Sequence, residues 1–244
     1  MDPVKFSAAC QTVYASSETQ NGIGTLNEKT LHAVLKHYFE PCTDCHEVKI
    51  GAFVADIAGE NGIIEIQTRQ FDKLRKKLTA FLPAARVTVV YPIAKTKQII
   101  WIDEETGEHT KKRKAPKSWG PHEILRELYK IKPLLKDENL RFCMVLLEID
   151  EYRRLNGWSA DRKKGASRYE RIPTALADEL YIDCPGDYAL FLPETLPAQF
   201  TSKDYQKATA VSLSLAQTAL NILVHVGVIV RVGKLGRLNL YEKI

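Results

Sequence analysis

Long hydrophobic runs, low-complexity segments and internal repeats are missing from this sequence. No apolar stretch reaches the roughly 18 residues that a membrane-spanning helix needs. The longest stretch, residues 219–230, is interrupted by Asn221, His225 and Gly227. The first residues are polar and mixed, with no basic region before an apolar run, so we identify no secretory signal. We therefore expect a soluble, cytoplasmic protein that does not span a membrane.

Cysteine is scarce. The chain has 5 cysteines, an odd number that fits free thiols in a reducing compartment. Cys42, Cys45 and His46 form the C-x-x-C-H pattern of c-type haem attachment, but that chemistry requires export, so we exclude it. A zinc site would lack the second ligand pair of strong zinc motifs. Thiols in a loop between a helix and a strand are the preferred interpretation.

The composition is that of an ordinary globular protein. The chain has 244 residues, of which 45% are hydrophobic and 27% charged, and its net charge is +5. Disorder as the main state is excluded, and the length suffices for one large domain or two modest ones. The net charge is too small to identify a partner.

Positive charge is concentrated in two runs, at residues 108–117 and 153–171. Trp158 and Tyr169 are interleaved with the basic residues of the second run. Both runs are candidate phosphate-contacting surfaces, although either run alone is as readily a solvated loop. We assign to nucleic-acid binding Lys111, Lys112, Arg113, Lys114, Arg162, Lys163, Lys164 and Arg168.

Hydrophobic periodicity predicts alternating helices and strands in the first two thirds of the chain. Because the apolar strand at 86–91 has the pattern of a strand buried on both faces, we expect a mixed sheet in an α/β layer. The predicted helices are 28–39, 69–82 and 121–135. The predicted strands are 46–57, 62–68, 86–91 and 141–149, with a hairpin formed by 98–103 and 108–112.

Two carboxylates fall on neighbouring predicted strands. Asp56 ends one apolar strand, and Glu65 lies in the middle of the next, where it shares a face with Gln67. A buried carboxylate costs several kcal/mol unless it is paired or bound to a metal. Two strands that each present an acid to one place predict a site for a hard divalent cation such as Mg²⁺, which Glu28 of the preceding helix could reach.

This pattern resembles the PD-(D/E)XK nuclease superfamily, which has the restriction-endonuclease-like fold, over roughly residues 25–95. The resemblance consists of a helix with Glu28, then Asp56, then Glu65-x-Gln67, followed by a helix and a strand. Gln67 stands where the motif has lysine.

Two departures from the motif bear on activity. Ala55 replaces the proline of the motif name, as is common in the superfamily. Some restriction enzymes of this kind carry glutamine at the lysine position, and in others a lysine moves to a neighbouring strand. Lys49 or Lys36 could take that part here.

The resemblance implies a mechanism. Asp56, Glu65 and the Ile66 carbonyl would bind Mg²⁺ or Mn²⁺, Gln67 would orient the attacking water, and Glu28 would hold the metal through an outer-shell water. The alternative is that Glu65 and Gln67 line a solvated strand face and that Asp56 caps a turn.

The last part of the chain has a different pattern of predicted elements. Residues 202–210 and 214–226 predict two helices, and 228–232 with 238–241 predict a β-hairpin. Helix, turn, helix and hairpin in this order resemble a winged helix-turn-helix domain over roughly residues 174–244.

In that family the second helix is the recognition helix. The resemblance assigns base contacts to Gln217 and Asn221, and phosphate contacts to Arg231, Lys234 and Arg237 on the wing. Because this helix has no arginine or lysine, and because winged helices also bind proteins, contact with a protein partner stays open.

These expectations define one hypothesis and two alternatives. We predict a nuclease-like domain at 1–155 with a basic hairpin at about 98–117, a basic linker at 156–173 and a winged helix at 174–244. The predicted activity is that of a Mg²⁺-dependent deoxyribonuclease. A homodimer is compatible with it, because double-strand cutting ordinarily needs two active sites. The alternatives are a catalytically silent nuclease-fold protein that binds nucleic acid or a protein, and a winged-helix transcription regulator.

Overall fold

The structure is a computed structural model that describes residues 1–18, 30–103, 106–158 and 164–244. Side chains are described for these residues except 155–158 and 164–166. Three residues of the predicted sites, Glu28, Arg162 and Lys163, lie outside the described residues.

Helices and strands alternate along the described chain. The α-helices are α1 Pro3–Glu18, α2 Thr30–Phe39, α3 Phe71–Phe81, α4 Leu125–Lys130, α5 Ser202–Thr209 and α6 Leu213–Val226. The strands are β1 His46–Ile50, β2 Phe53–Gly59, β3 Gly62–Ile66, β4 Val87–Ile102, β5 Arg113–Lys114, β6 Leu140–Trp158, β7 Lys164–Ile182, β8 Gln199–Phe200, β9 Ile229–Leu235 and β10 Leu238–Lys243.

The strands form two sheets. One has the order β1-β2-β3-β4-β6-β7, with β5 paired to β4, and the other has the order β8-β10-β9. Strands β1 and β2 are antiparallel, whereas β3 and β4 are parallel, with Glu65 beside Val89. The α/β class with a mixed sheet flanked by helices is therefore confirmed.

Contacts divide the chain into two compact units, each built from three segments. The first unit comprises residues 1–58, 92–120 and 145–179. The second unit comprises residues 59–91, 121–144 and 180–244. Strands β4, β6 and β7 each contribute residues to both units.

Helix α1 of the first unit was not predicted. Its apolar residues Phe6, Ala9, Cys10 and Val13 follow helical spacing and are buried. Phe6 packs edge-to-face on Tyr38 of α2, with 5.5 Å between ring centroids. Polar residues between these positions lower the mean hydropathy, which is why the segment does not stand out in the sequence.

Strand β4 is longer than predicted. The sequence predicts separate strands at 86–91 and 98–103, but one strand runs from Val87 to Ile102. The polar residues between the two predicted strands include Lys97, whose Nζ atom lies 3.3 Å from the Glu151 carboxylate. This ion pair within the unit allows a charged segment to continue the strand.

The hairpin predicted at residues 98–117 has a different second arm in the structure. The predicted second arm at 108–112 forms only an isolated bridge between Ile102 and His109, and the paired strand is β5. The backbone N–H of Asp103 donates to the Glu108 carbonyl at 3.0 Å, so the chain does reverse here as expected.

The predicted basic linker at 156–173 is largely strand where the structure describes it. Strand β7 begins at Lys164, and Thr174 donates a hydrogen bond to the Glu148 carbonyl of β6 at 3.2 Å. Arg168 and Arg171 lie within 3.4 Å of the Glu151 carboxylate. These two basic residues therefore belong to a strand rather than to a solvated loop, and both contact a buried carboxylate.

The helix predicted at 121–135 is interrupted. Only α4 is α-helical, and short 3₁₀ segments flank it at Pro121–Ile124 and Lys132–Leu134. Pro133 lacks the N–H that a continuing α-helix requires. The predicted helix at 69–82 is confirmed as α3, and the Glu127 carboxylate of α4 accepts a hydrogen bond from the backbone N–H of Phe71 at its start.

The predictions for the C-terminal part of the second unit are confirmed at the level of elements. Thr201 and Asp204 form a capping box at the start of α5, and the Ser212 side chain caps α6. Gly227, with φ of 85°, ends α6 in the left-handed conformation that favours glycine. Strand β8 was not predicted, since a pair of residues carries too little periodicity.

No described helix is by itself long and apolar enough to cross a membrane. Helices α5 and α6 meet that length and composition only together, and the pair is bent by 111°.

Candidate functional site

Helix α2 places two side chains against acids of β1 and β2. The Nε2 atom of His32 lies 3.4 Å from Oδ2 of Asp56, and Nζ of Lys36 donates to Oε1 of Glu47 at 2.9 Å. The Lys36 side chain is only 6% exposed. In α2, His32 therefore lies beside Asp56, and Lys36 beside Glu47.

The second predicted carboxylate, Glu65 on β3, is buried and paired with an amine. Nζ of Lys77 on α3 donates to Oε2 of Glu65 at 2.6 Å. Lys77 was not predicted as a site residue. Its position in the sequence could have identified it, because Lys77 occupies the helical stripe of Leu74, Leu78 and Phe81, where the other members are buried. A lysine inside an apolar stripe needs an acidic partner.

The polar groups of Gln67 donate hydrogen bonds to carbonyl groups of the second unit. Its backbone N–H donates to the Val90 carbonyl at 2.9 Å, and its side-chain amide donates to the Arg69 carbonyl. Lys49, the other candidate for the missing lysine, is exposed on β1 and pairs in register with Val54. Gln67 shares the second unit with Glu65, and Lys49 shares the first unit with Asp56.

The predicted metal ligands belong to different units. Asp56 lies in the first unit, and Glu65 and Ile66 lie in the second. Among the residues that the structure describes, no group of three or more His, Cys, Asp or Glu side chains is arranged to hold a metal ion. A joint site of Asp56 and Glu65 stays a prediction.

The C-x-x-C-H motif forms a short turn. Cys42 is exposed, Cys45 is half-buried, and both are free thiols. The His46 imidazole contacts the Glu40 carbonyl through Nε2 at 2.7 Å and packs edge-to-face on His37. Cys42 and Cys45 do lie between a helix, α2, and a strand, β1, as predicted.

A buried carboxylate in β6 gathers four cationic side chains. Glu151 is completely buried, and its Oε1 atom accepts two hydrogen bonds from Arg153, at 2.8 and 2.6 Å. Its Oε2 atom lies 3.3 Å from Lys97 Nζ, 3.3 Å from Arg171 Nε and 3.4 Å from Arg168 Nε. We call these five residues the Glu151 cluster.

The charges around Glu151 outweigh its burial. Burial by itself raises the pKa of a carboxyl group, but hydrogen bonds from Arg153 and the charges of Lys97, Arg168 and Arg171 lower the pKa of Glu151 to about 2. The carboxylate is therefore ionised at neutral pH.

Cations also lie over aromatic rings in the first unit. Such pairs combine a positive charge with a flat apolar surface, and both contribute to binding of nucleic-acid bases and phosphates. The distances to the ring centroids are 5.5 Å from Arg153 to Trp101, 3.8 Å from Arg154 to Tyr169 and 3.6 Å from Lys117 to Trp119.

The predicted basic residues of the first unit differ in their surroundings. Lys111, Arg113 and Lys114 are exposed, and Lys112 donates to the buried Asp150 carboxylate at 2.5 Å. Lys164 begins β7, and nothing is described of its side chain. Sequence analysis did not assign Lys97 or Trp101 to a site, because only the fold brings them to Glu151 and Arg153.

The predicted recognition residues of the second unit, Gln217 and Asn221, are both exposed on α6. The side-chain oxygen of Asn221 accepts a hydrogen bond from Lys132 at 2.8 Å. The predicted wing residues Arg231, Lys234 and Arg237 are exposed on β9 and on the turn that follows it.

Comparison with known proteins identifies the family. A model described as a domain of unknown function (DUF8091) matches residues 29–183, which include the whole of α2 through β7. An uncharacterized protein of Treponema pallidum (strain Nichols) is 30% identical over 231 residues, covering 91% of this chain and 87% of that protein. No solved structure matches. The chain belongs to the DUF8091 family.

Proposed function

We propose that this protein binds nucleic acid, with a preference for single strands, through the first unit. The observation that carries the proposal is the set of cations over aromatic rings, represented best by Arg154 over Tyr169 at 3.8 Å. Proteins that bind single strands combine aromatic platforms for stacked bases with cations that contact the backbone. Exposed Lys111, Arg113 and Lys114 on and beside β5 add positive charge to the same unit.

The second unit supports the same function. The order of α5, α6, β9 and β10 fits the winged helix proposed from the sequence, and the exposed Arg231, Lys234 and Arg237 would contact phosphates. Since α6 carries no arginine or lysine, we propose that this unit contributes mainly backbone contacts rather than base recognition.

Fluorescence anisotropy with labelled single-stranded and duplex oligonucleotides tests the proposal. Replacing Tyr169 by leucine removes a stacking surface but keeps an apolar side chain, and should weaken single-strand binding about tenfold. The control is Arg126→Gln, which removes one exposed charge from α4 in the second unit. An equal loss in both variants, or equal affinity for duplex and single strand, contradicts the proposed mode.

A second candidate function is Mg²⁺-dependent cleavage of DNA. The pair of Glu65 and Lys77 favours it, because a buried carboxylate next to an amine supplies the lysine that Gln67 replaces in the motif. Mg²⁺ takes one or two carboxylates and keeps several waters, so Asp56, Glu65 and the Ile66 carbonyl fit it by type. When bound, the metal would neutralise charge on the scissile phosphate and lower the pKa of a water.

Calorimetric titration of Mg²⁺ and Mn²⁺, followed by incubation with plasmid and single-stranded DNA, tests the second candidate. Asp56→Ala and Glu65→Gln should each lose metal binding and nicking, whereas the exposed Glu60→Ala should keep both. Unchanged nicking in the first two variants would exclude this site. Nucleic-acid binding without metal or cleavage would favour the catalytically silent alternative, and a tight sequence-specific complex without cleavage would favour a transcription regulator.

A further inference from the structure

In the Glu151 cluster, the positive charges in contact with the carboxylate outnumber its single negative charge. Four cationic side chains lie within 3.4 Å of this single carboxylate, and Lys97, Arg153 and Arg171 by themselves carry two more charges than it neutralises. Like charges this close repel one another, and the repulsion is strong where water is partly excluded. A further anion would reduce this repulsion.

The cluster is layered from inside to outside. The Glu151 side chain is 0% exposed and that of Lys97 is 12% exposed. The guanidinium-bearing side chains of Arg153, Arg171 and Arg168 are 29%, 28% and 46% exposed. The buried carboxylate thus orients three arginines that a ligand can reach from solvent.

The contact with Glu151 engages only part of the Arg171 guanidinium. Arg171 approaches the carboxylate through Nε, so its contact with Glu151 does not use the terminal nitrogens. A guanidinium group binds phosphate oxygens through pairs of parallel N–H groups, which makes arginine suited to planar recognition of phosphate. The crowded charge also acts on Lys97, whose pKa is lowered by burial and further by Arg171 and Arg153, against the opposing effect of Glu151.

We propose that the Glu151 cluster binds the terminal phosphate of a nucleic-acid strand. The inference rests on the proposed function and adds to it the part of the strand that is recognised. A terminal phosphate carries a charge of about −1.5 to −2 at neutral pH and has three strong acceptor oxygens, as a phosphomonoester does on a protein. An internal phosphodiester carries a single charge, so it balances an excess of two positive charges less well.

Affinities for three versions of one labelled single strand test the inference: one with a 5′-phosphate, one with a 3′-phosphate and one with hydroxyl groups at both ends. We expect one phosphorylated strand to bind about tenfold more tightly than the hydroxyl strand, as a few added hydrogen bonds between charged groups would produce. Equal affinity for all three strands overturns the inference and leaves the proposed function intact. Binding of a phosphorylated strand without any binding of the hydroxyl strand supports the inference and overturns the proposed general binding.

A pair of matched variants identifies the site. Arg171→Gln should abolish the preference for the phosphorylated strand, while Lys111→Gln, which removes an exposed charge outside the cluster, should weaken both strands equally and keep their ratio. A preference that persists in Arg171→Gln places the phosphate elsewhere and overturns the inference. Arg171→Lys keeps the charge without the planar fork, so it shows whether a change in Arg171→Gln reflects lost recognition or lost folding.

Inorganic phosphate distinguishes a strand end from free phosphate. We expect millimolar phosphate to compete with the phosphorylated strand more than with the hydroxyl strand, because only the former would occupy the cluster. Strong binding of inorganic phosphate together with equal affinity for all three strands would assign the cluster to the free ion and overturn the inference.

Discussion

Lys77 and Glu65 form an ion pair of 2.6 Å that links helix α3 to strand β3 within the second unit. The Glu65 side chain is 3% exposed and that of Lys77 is 18% exposed. Removing one member of a buried ion pair destabilises a fold more than replacing both members by apolar residues, because the remaining charge is left in a poorly solvated place. The pair therefore constrains both residues in the folded protein.

Replacing Lys77 by alanine should lower the free energy of unfolding by about 3 kcal/mol, because the Glu65 carboxylate loses its ammonium partner. Urea denaturation measures the change. The control is Lys76→Ala on the exposed side of α3, which should change stability by less than about 0.5 kcal/mol. Similar losses in the two variants would show that the ion pair does not matter for stability.

The Glu151 cluster predicts a loss of stability in acid. The pKa of Glu151 falls from its ordinary value of 4.5 in the unfolded chain to about 2 in the folded protein. A lowered pKa stabilises the fold above the unfolded value, and this contribution disappears as the pH falls from about 5 towards 2. The stability difference between wild type and Glu151→Gln should therefore be a few kcal/mol at pH 7 and shrink in acid.

Urea denaturation of both proteins between pH 7 and pH 3 measures this dependence. Glu148→Gln on the exposed side of the same strand is the control, and its stability should follow the wild type at each pH. A constant difference between wild type and Glu151→Gln across this range would be inconsistent with an ionised, charge-paired Glu151.

The turn between β2 and β3 should depend on Gly62. Its φ is 99°, and a Cβ atom there would lie 2.5 Å from the Arg86 carbonyl oxygen. Gly62→Ala should therefore cost about 2 to 4 kcal/mol through both strain and overlap. Gly51 has φ of 59°, and a Cβ atom there would have no neighbour within 4 Å, so Gly51→Ala should cost only about 1 kcal/mol. Equal costs in thermal denaturation would contradict this explanation.

The wing should contribute to affinity without choosing a sequence. Replacing Arg231, Lys234 and Arg237 together by glutamine should weaken binding to unrelated oligonucleotides by similar factors, because phosphate contacts do not distinguish bases. Gel-shift titrations with two unrelated sequences measure the factors. Unchanged affinity would indicate that this part of the second unit contacts a protein instead.

Elements with strong periodicity were predictable from the sequence. Helices α2, α3 and α6 carry apolar residues at helical spacing, and Gly227 marks the end of α6. The 3₁₀ segments around α4 were not predictable, because their sequence fits an α-helix until Pro133 removes a donor.

The sequence singles out residues that end or interrupt an apolar run, but not residues that only the fold brings together. Asp56 and Glu65 stand out because each follows or interrupts an apolar run. The Glu151 cluster joins residues from three strands, and Lys97 is 54 positions from Glu151. Charge pairs at such separations leave no local pattern, which is also why the basic segment of β7 resembled a linker.

The dependence of nucleic-acid affinity on salt tests the central claim, binding through the cations of the first unit, most directly. The logarithm of the association constant for a single strand should fall linearly with the logarithm of salt concentration. Replacing Lys111, Arg113 and Lys114 together by glutamine should reduce the slope by up to about 2, since each phosphate contact on a single strand contributes about 0.7. Binding that does not change with salt, or an unchanged slope in the variant, would contradict the claim.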